Sequence, residues 1–289
     1  MDQKKYILTA ESPANSGIVA ALAGLLAQHD CYIHSLEQFD DDLTKRFFFR
    51  CVFSLTDQNA ALEDVTQGLT PICERFKLVF HIFDPLDVPK VMILVSKQDH
   101  CLDDLLYRRR TGELAMDITA VVSNHKLLAP LVEREGLEFV YLPVSAHTKA
   151  QQEQQLLTLV QQTNTELVVL ARYMQILSNE LCQALAGRCI NIHHSFLPGF
   201  KGAKAYHQAY ERGVKYIGAT AHYVNSELDE GPIIEQTVTR VDHNFRVEEL
   251  VRVGRDNECI ALARAVKNHL ERRVFLDGHK TIVFQSGHY

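Results

Sequence analysis

The segment Val91–Ser96 (VMILVS) constrains this chain more than any other. A continuous apolar run gives a strand with no solvent face, so it has to be covered on both sides, as strands in parallel α/β sheets are. The following sequence keeps that requirement. It predicts a helix over Asp99–Arg110, a strand over Ile118–Ser123, a helix over Lys126–Glu135 and a strand over Glu138–Leu142. Ala150–Gln162 then reads as a helix, Leu167–Leu170 as a strand, Asn179–Leu185 as a helix and Cys189–Ile192 as a strand. Such alternation specifies right-handed crossovers and a Rossmann-like, mostly parallel αβα sheet. The pattern then changes. Tyr216–Val224 and Pro232–Arg240 read as an antiparallel hairpin around a short polar turn, Val247–Leu270 as one long helix, and the tail as a final hairpin.

The first part reads β-α-β-β-α-β. Ser16 is placed to cap a helix in which Ile18, Val19, Leu22, Leu25 and Leu26 recur at helical spacing. Arg46–Leu55 alternates like a half-exposed strand, with the Phe47-Phe48-Phe49 run expected in the core and at a sheet–sheet interface. Ala60–Phe76 is helical, with Pro71 expected to kink or divide it. This is a split βαβ, ferredoxin-like unit with its helices on one face of a small sheet. The two prolines of the segment from Asp84 to Lys90 resist helix and central strand alike. The expected division is therefore a domain over residues 1–84, a linker over 85–90 and a domain over 91–289.

Composition excludes several classes. The 289 residues are 46% hydrophobic and 23% charged, with a net charge of -6. The one basic cluster, Arg108-Arg109-Arg110, reads as a solvated helix end, so no nucleic acid partner is expected. No apolar run approaches the roughly 20 residues that span a bilayer. The opening MDQKKYILTAESP lacks an apolar signal core, so a cytoplasmic protein is expected. Seven cysteines without a CxxC pair read as free thiols in a reducing compartment. The strand Val91–Ser96 runs into Lys97-Gln-Asp-His-Cys101 with no glycine, so no dinucleotide is expected. No HExxH is present, and the adjacent His193 and His194 face opposite ways on an extended chain, so no metal is expected.

The densest polar cluster lies at the carboxyl end of the last parallel strand, where open sheets bind ligands: Asn191-Ile-His193-His194-Ser195. Asn191 and His193 are two apart and point the same way. The hairpin turn adds Asn225, Glu227 and Asp229. An amide N–H to hold an oxyanion, an imidazole to exchange a proton and a carboxylate to orient water suit attack on a carbonyl. No nucleophile elbow suggests a covalent intermediate. Spacing alone equally accommodates Asn191 capping a turn and His193 as a satisfied core residue.

A resemblance adds to this reading. From about residue 90 to the end the chain resembles the folate-dependent formyltransferase fold. Leu170–Ser178 (LARYMQILS) resembles its pterin-binding segment, and Asn191-Ile-His193, Pro198 and Leu228-Asp229 match its catalytic Asn-x-His and distant Asp. The strings INIHHSFLPGFKGAK, GATAHYVNSELDEGPIIEQ, SKQDHCLDDLL and RVFLDGHKTIVF are similar to the formyltetrahydrofolate deformylase family, and the first part resembles its amino-acid-sensing ACT domain. The resemblance covers essentially the whole chain. It implies hydrolysis of 10-formyltetrahydrofolate to tetrahydrofolate and formate, balancing the one-carbon folate pool and supplying formate for purine biosynthesis, with no cofactor besides that folate substrate. It implies Asn191, His193 and Asp229 as catalytic. Met174, Gln175, Ile176, Leu177, Val224, Asn225, Glu227 and Lys204 would bind substrate. A homo-oligomer, with a tetramer favoured, and a possible amino-acid effector follow as partners.

His222 reads equally as a buried structural residue or a support of the site, and Lys204 and Tyr206 as a solvated helix face or as shaping the water pocket. Two departures matter. Where glycinamide ribonucleotide formyltransferases carry a glycine-rich, phosphate-holding loop, this chain has Ser96–Cys101, which favours water over an amine acceptor. Ala14 stands where ACT relatives usually carry an acidic residue, which weakens effector binding. The alternatives are a formyltransferase to an amine, and a non-catalytic folate or amino-acid sensor.

Overall fold

The computed structural model describes residues 4–56, 61–199 and 205–285. The chain divides into two compact units: Met1–Val88 with Arg272–Asp277 and Ile282–Tyr289, and Pro89–Glu271 with Gly278–Thr281.

The first unit runs β1 (Tyr6–Pro13), α1 (Ile18–Gln28), β2 (Cys31–Asp41), β3 (Arg46–Leu55), α2 (Leu62–Phe76) and β4 (Val79–Phe83). Its sheet has the order β2-β3-β1-β4 with antiparallel neighbours, the ferredoxin-like arrangement expected. Leu8, Phe49 and Phe53 of the sheet meet Ile18, Leu22 and Leu26 of α1 and Val65 and Leu69 of α2 in one core. Burying each such side chain contributes about 1.5–3 kcal/mol.

Three local expectations are corrected. Ser16 does not cap α1; Gly17 does, at φ 89°, and its carbonyl accepts the first helical bond from the Ala21 amide at 2.9 Å. The left-handed turn needs a residue without a Cβ, and that outweighs a side-chain cap. Pro71 does not divide α2, which runs on through it. A proline costs a helix about 3 kcal/mol, and burial of Val65, Leu69 and Phe76 on the same helix offsets that. Finally, β3 is not half-exposed: Phe48 and Ser54 are fully buried and Arg50 nearly so. Phe275 and Phe284 pack on Phe48, while Arg50 and Arg273 pair with Glu37 at 3.1 and 3.2 Å. Residues more than two hundred positions away thus cover the second face of the strand.

The second unit runs β5 (Lys90–Val95), α3 (His100–Arg110), β6 (Asp117–Ser123), α4 (Ala129–Arg134), β7 (Phe139–Tyr141), α5 (Lys149–Gln162), β8 (Leu167–Leu170), α6 (Asn179–Ala184), β9 (Cys189–His193), α7 (Ala205–Arg212), β10 (Tyr216–Tyr223), β11 (Ile233–Arg240) and α8 (Val247–Leu270). A two-stranded sheet of β12 (Val274–Asp277) and β13 (Lys280–Val283) ends the chain's elements. The large sheet has the order β11-β10-β9-β8-β5-β6-β7. Strands β5 to β9 are parallel, and β10 and β11 add antiparallel on one edge. Met92, Ile93, Leu94 and Val95 of β5 are fully buried, as their continuous apolarity requires. The chain moves outward from β5 through β6 and β7, then returns to β8 on the other side of β5. The strand order therefore reverses between β5 and β8, and ligands of open sheets bind beside such a reversal.

The seven cysteines are free. No helix among the described residues is long and apolar enough to cross a membrane.

Candidate active site

Strand β9 delivers Asn191 and His193 to the carboxyl end of the sheet. The antiparallel register of β10 sets His222 opposite Asn191 and Thr220 opposite His193. Directly opposed residues share a face. A register shift against β11 falls between Ala221 and His222, the kind of irregularity that re-aims a side chain beside a site.

The hydrogen bonds settle the tautomer of His222. Its Nδ1 donates to the Tyr223 carbonyl at 2.9 Å, and burial holds its pKa below the ordinary histidine value. It is therefore neutral near pH 7 with a bare Nε2, which accepts from Asn191 Nδ2 at 3.2 Å. That bond fixes which end of the Asn191 amide is its donor and leaves the second N–H of the amide for another acceptor.

Asp229 arrives from the turn between β10 and β11. It sits at φ 57°, a left-handed conformation that aspartate tolerates. Asn225 shapes the turn: its Oδ1 accepts from the Glu227 amide at 3.1 Å and its Nδ2 donates to the Glu230 carbonyl at 3.4 Å. Gly231 closes the turn so tightly that a Cβ there would overlap the Tyr223 carbonyl. Asp229 Oδ1 then lies 3.2 Å from His193 Nδ1 and 3.9 Å from His222 Nε2. Burial pushes the Asp229 carboxyl up, but the hydrogen bond with His193 and the nearby histidines outweigh it and hold the group below its ordinary value. Asp229 is a carboxylate at neutral pH and accepts from His193 Nδ1–H.

The loop after β9 is tied to the same strands. Thr220 Oγ1 donates to the Ser195 carbonyl at 2.9 Å and accepts from the Leu197 amide at 3.0 Å. Gln236 Nε2 donates to the Leu197 carbonyl at 3.0 Å, and the Leu197–Pro198 bond is cis. Lys204 lies outside the described residues.

The loop after β8 holds Met174, Gln175, Ile176 and Leu177. The Met174 amide donates to Ser96 Oγ at 2.9 Å, and Ser178 Oγ caps α6 by accepting from the Leu181 amide. Met174 and Ile176 are exposed, Gln175 is half-buried, and Leu177 packs on the same core cluster as Val224 from the hairpin. Glu227 is exposed to solvent.

His194 is buried beside His193. Its ring contacts Tyr206 at 5.9 Å, and the two histidine rings are 5.1 Å apart. Burial first, then the charges of Arg172 and His193, lower its pKa from 6.5 to about 4. A lowered pKa means the unfolded chain binds the proton more readily. The stability His194 contributes is complete above pH 6.5 and is lost as pH falls toward 4. At pH 5 the loss is about 2 kcal/mol. Thermal unfolding of the protein and of His194→Gln between pH 7.5 and 5 checks this: the wild type falls more steeply, and parallel curves would refute it.

Sequence reasoning missed a buried group beside these residues. Glu258 of α8 is 1% exposed and meets His100, Tyr206 and Arg172. The available signal was a charge at helical spacing among small residues, Gly254, Glu258, Ala261 and Ala265.

A mostly parallel sheet that ends in Asn-x-His, with a carboxylate from the following hairpin, places the chain in a class: residues 89–266 match the Formyl transferase family. A glycinamide ribonucleotide transformylase from Symbiobacterium toebii is similar in structure, with 28% identity and a TM-score of 0.65 over 68% of this chain and 95% of its own. The similarity to a formyltetrahydrofolate deformylase from Burkholderia mallei runs further, with 57% identity and a TM-score of 0.93 over 98% of this chain and all of the other. The formyltetrahydrofolate deformylase of Corynebacterium sp. strain P-1 is 48% identical over 98% of this chain and 99% of its own length. The chain belongs to the formyltetrahydrofolate deformylase family.

Proposed function

We propose that the protein hydrolyses 10-formyltetrahydrofolate to tetrahydrofolate and formate. The convergence of Asn191, His193, His222 and Asp229 at the carboxyl end of β9 carries this reading, together with near full-length similarity to deformylases. The pterin lies between the loop Met174–Leu177 and the hairpin residues Val224, Asn225 and Glu227 and presents the N10-formyl group to Asn191 and His193, with Lys204 as a further substrate-binding residue.

Water adds to the formyl carbon, with its lost proton taken by the His193–Asp229 pair. The Asn191 N–H that His222 does not use holds the developing oxyanion, and protonated His193 adds a second donor. The C–N bond breaks as N10 takes a proton from the same pair, leaving tetrahydrofolate. Formic acid gives its own proton to solvent and departs as formate. Only water and acid–base groups take part, so no cofactor is needed beyond the folate itself.

In this reading residues 91–289 carry the catalysis and residues 1–84 assemble or regulate, joined by 85–90. Free thiols fit a cytoplasmic protein making formate for purine biosynthesis. Strand β2, an edge of its sheet with Tyr32 and Phe39 exposed, supports pairing between copies into a homo-oligomer, with a tetramer favoured. Light scattering at assay concentration should report more than one chain per particle; a monomer refutes the assembly.

The deciding experiment incubates purified protein with 10-formyltetrahydrofolate alone. Formate and tetrahydrofolate should appear in equal amounts. Tetrahydrofolate released only after an amine is added, with the formyl group on that amine and no formate, would make it a formyltransferase, and binding without release would make it a sensor.

A further inference from the structure

The loop from β8 to α6 is shaped mostly by side chains from elsewhere in the unit. Sheet bonding stops at the Ala171 amide, which donates to the Leu94 carbonyl at 2.9 Å, and α6 begins after Ser178. Between these points the backbone groups of Gln175, Ile176 and Leu177 bond to no described residue, and the Met174 and Ile176 side chains are exposed. Such backbone is open to a polar ligand, but ordering it at the moment of binding costs conformational entropy.

Two groups of buried side chains order the loop beforehand. At its start Ser96, just after β5, accepts the Met174 amide on Oγ at 2.9 Å. The Ser96 hydroxyl donates to Asn124 Oδ1 at 2.8 Å, and the Ser96 carbonyl accepts from Ser123 Oγ at 3.3 Å. Ser96, Ser123 and Asn124 are all buried, so the hydroxyl is fixed with a lone pair aimed at the loop. At the other end two successive residues of α5 take over. Gln152 Nε2 donates to Tyr173 Oη at 3.0 Å, and Glu153 Oε1 accepts from the Ser178 amide at 2.9 Å. Both α5 residues are buried, and Lys149 Nζ lies 3.9 Å from the same Glu153 oxygen. Helix α6 already has its cap in Ser178 Oγ, which accepts from the Leu181 amide. Glu153 therefore holds the residue that ends the loop, on a group the helix does not use.

We propose that Ser96 and Glu153 are positioning residues that set the loop Met174–Leu177 in its binding shape before the folate arrives. This rests on the reading of that loop as the pterin site. Each residue acts through one backbone amide, Met174 or Ser178, and neither has to touch the substrate. Losing an anchor lowers the fraction of molecules with the loop in place, and apparent affinity falls by the same fraction. Once folate is bound the loop is in place, so the chemical step at Asn191 and His193 proceeds as before.

The test compares full-length wild type, Ser96→Ala, Glu153→Ala and Glu153→Gln in two measurements: steady-state formate release from 10-formyltetrahydrofolate, and titration with tetrahydrofolate. Ser96→Ala and Glu153→Ala should each raise KM, and the Kd for tetrahydrofolate, about five- to tenfold, with kcat within about twofold of the wild type. Glu153→Gln keeps a carbonyl oxygen for the Ser178 amide and should bind within about twofold of the wild type. A purely structural role would reduce the folded fraction, lowering kcat at unchanged KM, and that result overturns the proposal. So does Glu153→Gln binding as weakly as Glu153→Ala. If Glu153→Ala does not fold, Ser96→Ala decides by the same split between KM and kcat. A wild type that releases no formate refutes the hydrolytic reading alone, because the tetrahydrofolate titrations still decide the positioning role. A wild type that binds no tetrahydrofolate overturns that role as well.

Discussion

Asn191→Ala should lower kcat about 10²–10³-fold, the loss of about 3–4 kcal/mol expected when one oxyanion donor is removed. KM should change little, because the amide contacts an oxygen whose charge develops only in the transition state. The register of β9 and β10 sharpens this expectation. His222 Nε2 accepts one Asn191 N–H, so the other is aimed before substrate arrives. The variant also strands that buried nitrogen without a donor, which costs about 1–3 kcal/mol of stability. Steady-state kinetics with a parallel folate titration separate the two effects. Turnover within about threefold of the wild type would take Asn191 out of the mechanism.

Asp229→Asn is expected to be at least as severe, lowering kcat about 10²–10⁴-fold. The amide can still accept from His193 Nδ1–H across the 3.2 Å contact, so the fold of the hairpin survives. It cannot stabilise an imidazolium or take a proton from water. The pH dependence carries its own sign. The Asp229 carboxyl is held below its ordinary value of 3.8, so it stays charged until the medium is more acidic than that. Activity lost between neutral pH and about 5 is then not its protonation. The stability this group contributes is present above the unfolded-state value and disappears as pH falls through the folded one. The stability gap between wild type and Asp229→Asn should therefore narrow in strong acid. A variant with wild-type kcat would exclude Asp229 from proton handling.

Legibility in the sequence followed the range of the interaction. The period of apolar residues is local, and it placed β5, β6, β8 and β9 and the helices between them within a few residues of their positions. The antiparallel pair β10 and β11 was equally readable from its alternation and polar turn. Local reasoning failed where a distant partner outweighed it. Ser16 is a good cap in isolation, yet Gly17 begins α1 because the chain turns there. The alternation of β3 signals an open face, which residues from the far end of the chain then cover.

The active-site cluster divides in the same way. Asn191 and His193 could be paired from their spacing on one strand, and the resemblance singled out Asp229. His222 stayed ambiguous because its value depends on which residue lies opposite it, and register is decided by pairing across 31 positions. Glu258 was invisible, since an acidic residue in a long helix ordinarily faces solvent, and its partner His100 stands 158 positions away. By itself, then, the sequence determined which segments are strands, which are helices, and where the polar strand end falls, because short-range periodicity and backbone preference carry that information. Only the tertiary structure decided which side chains share a hydrogen atom or a charge. A contact of about 3 Å is set by strand register, helix packing and turn closure acting together, and none of these is written in neighbouring residues.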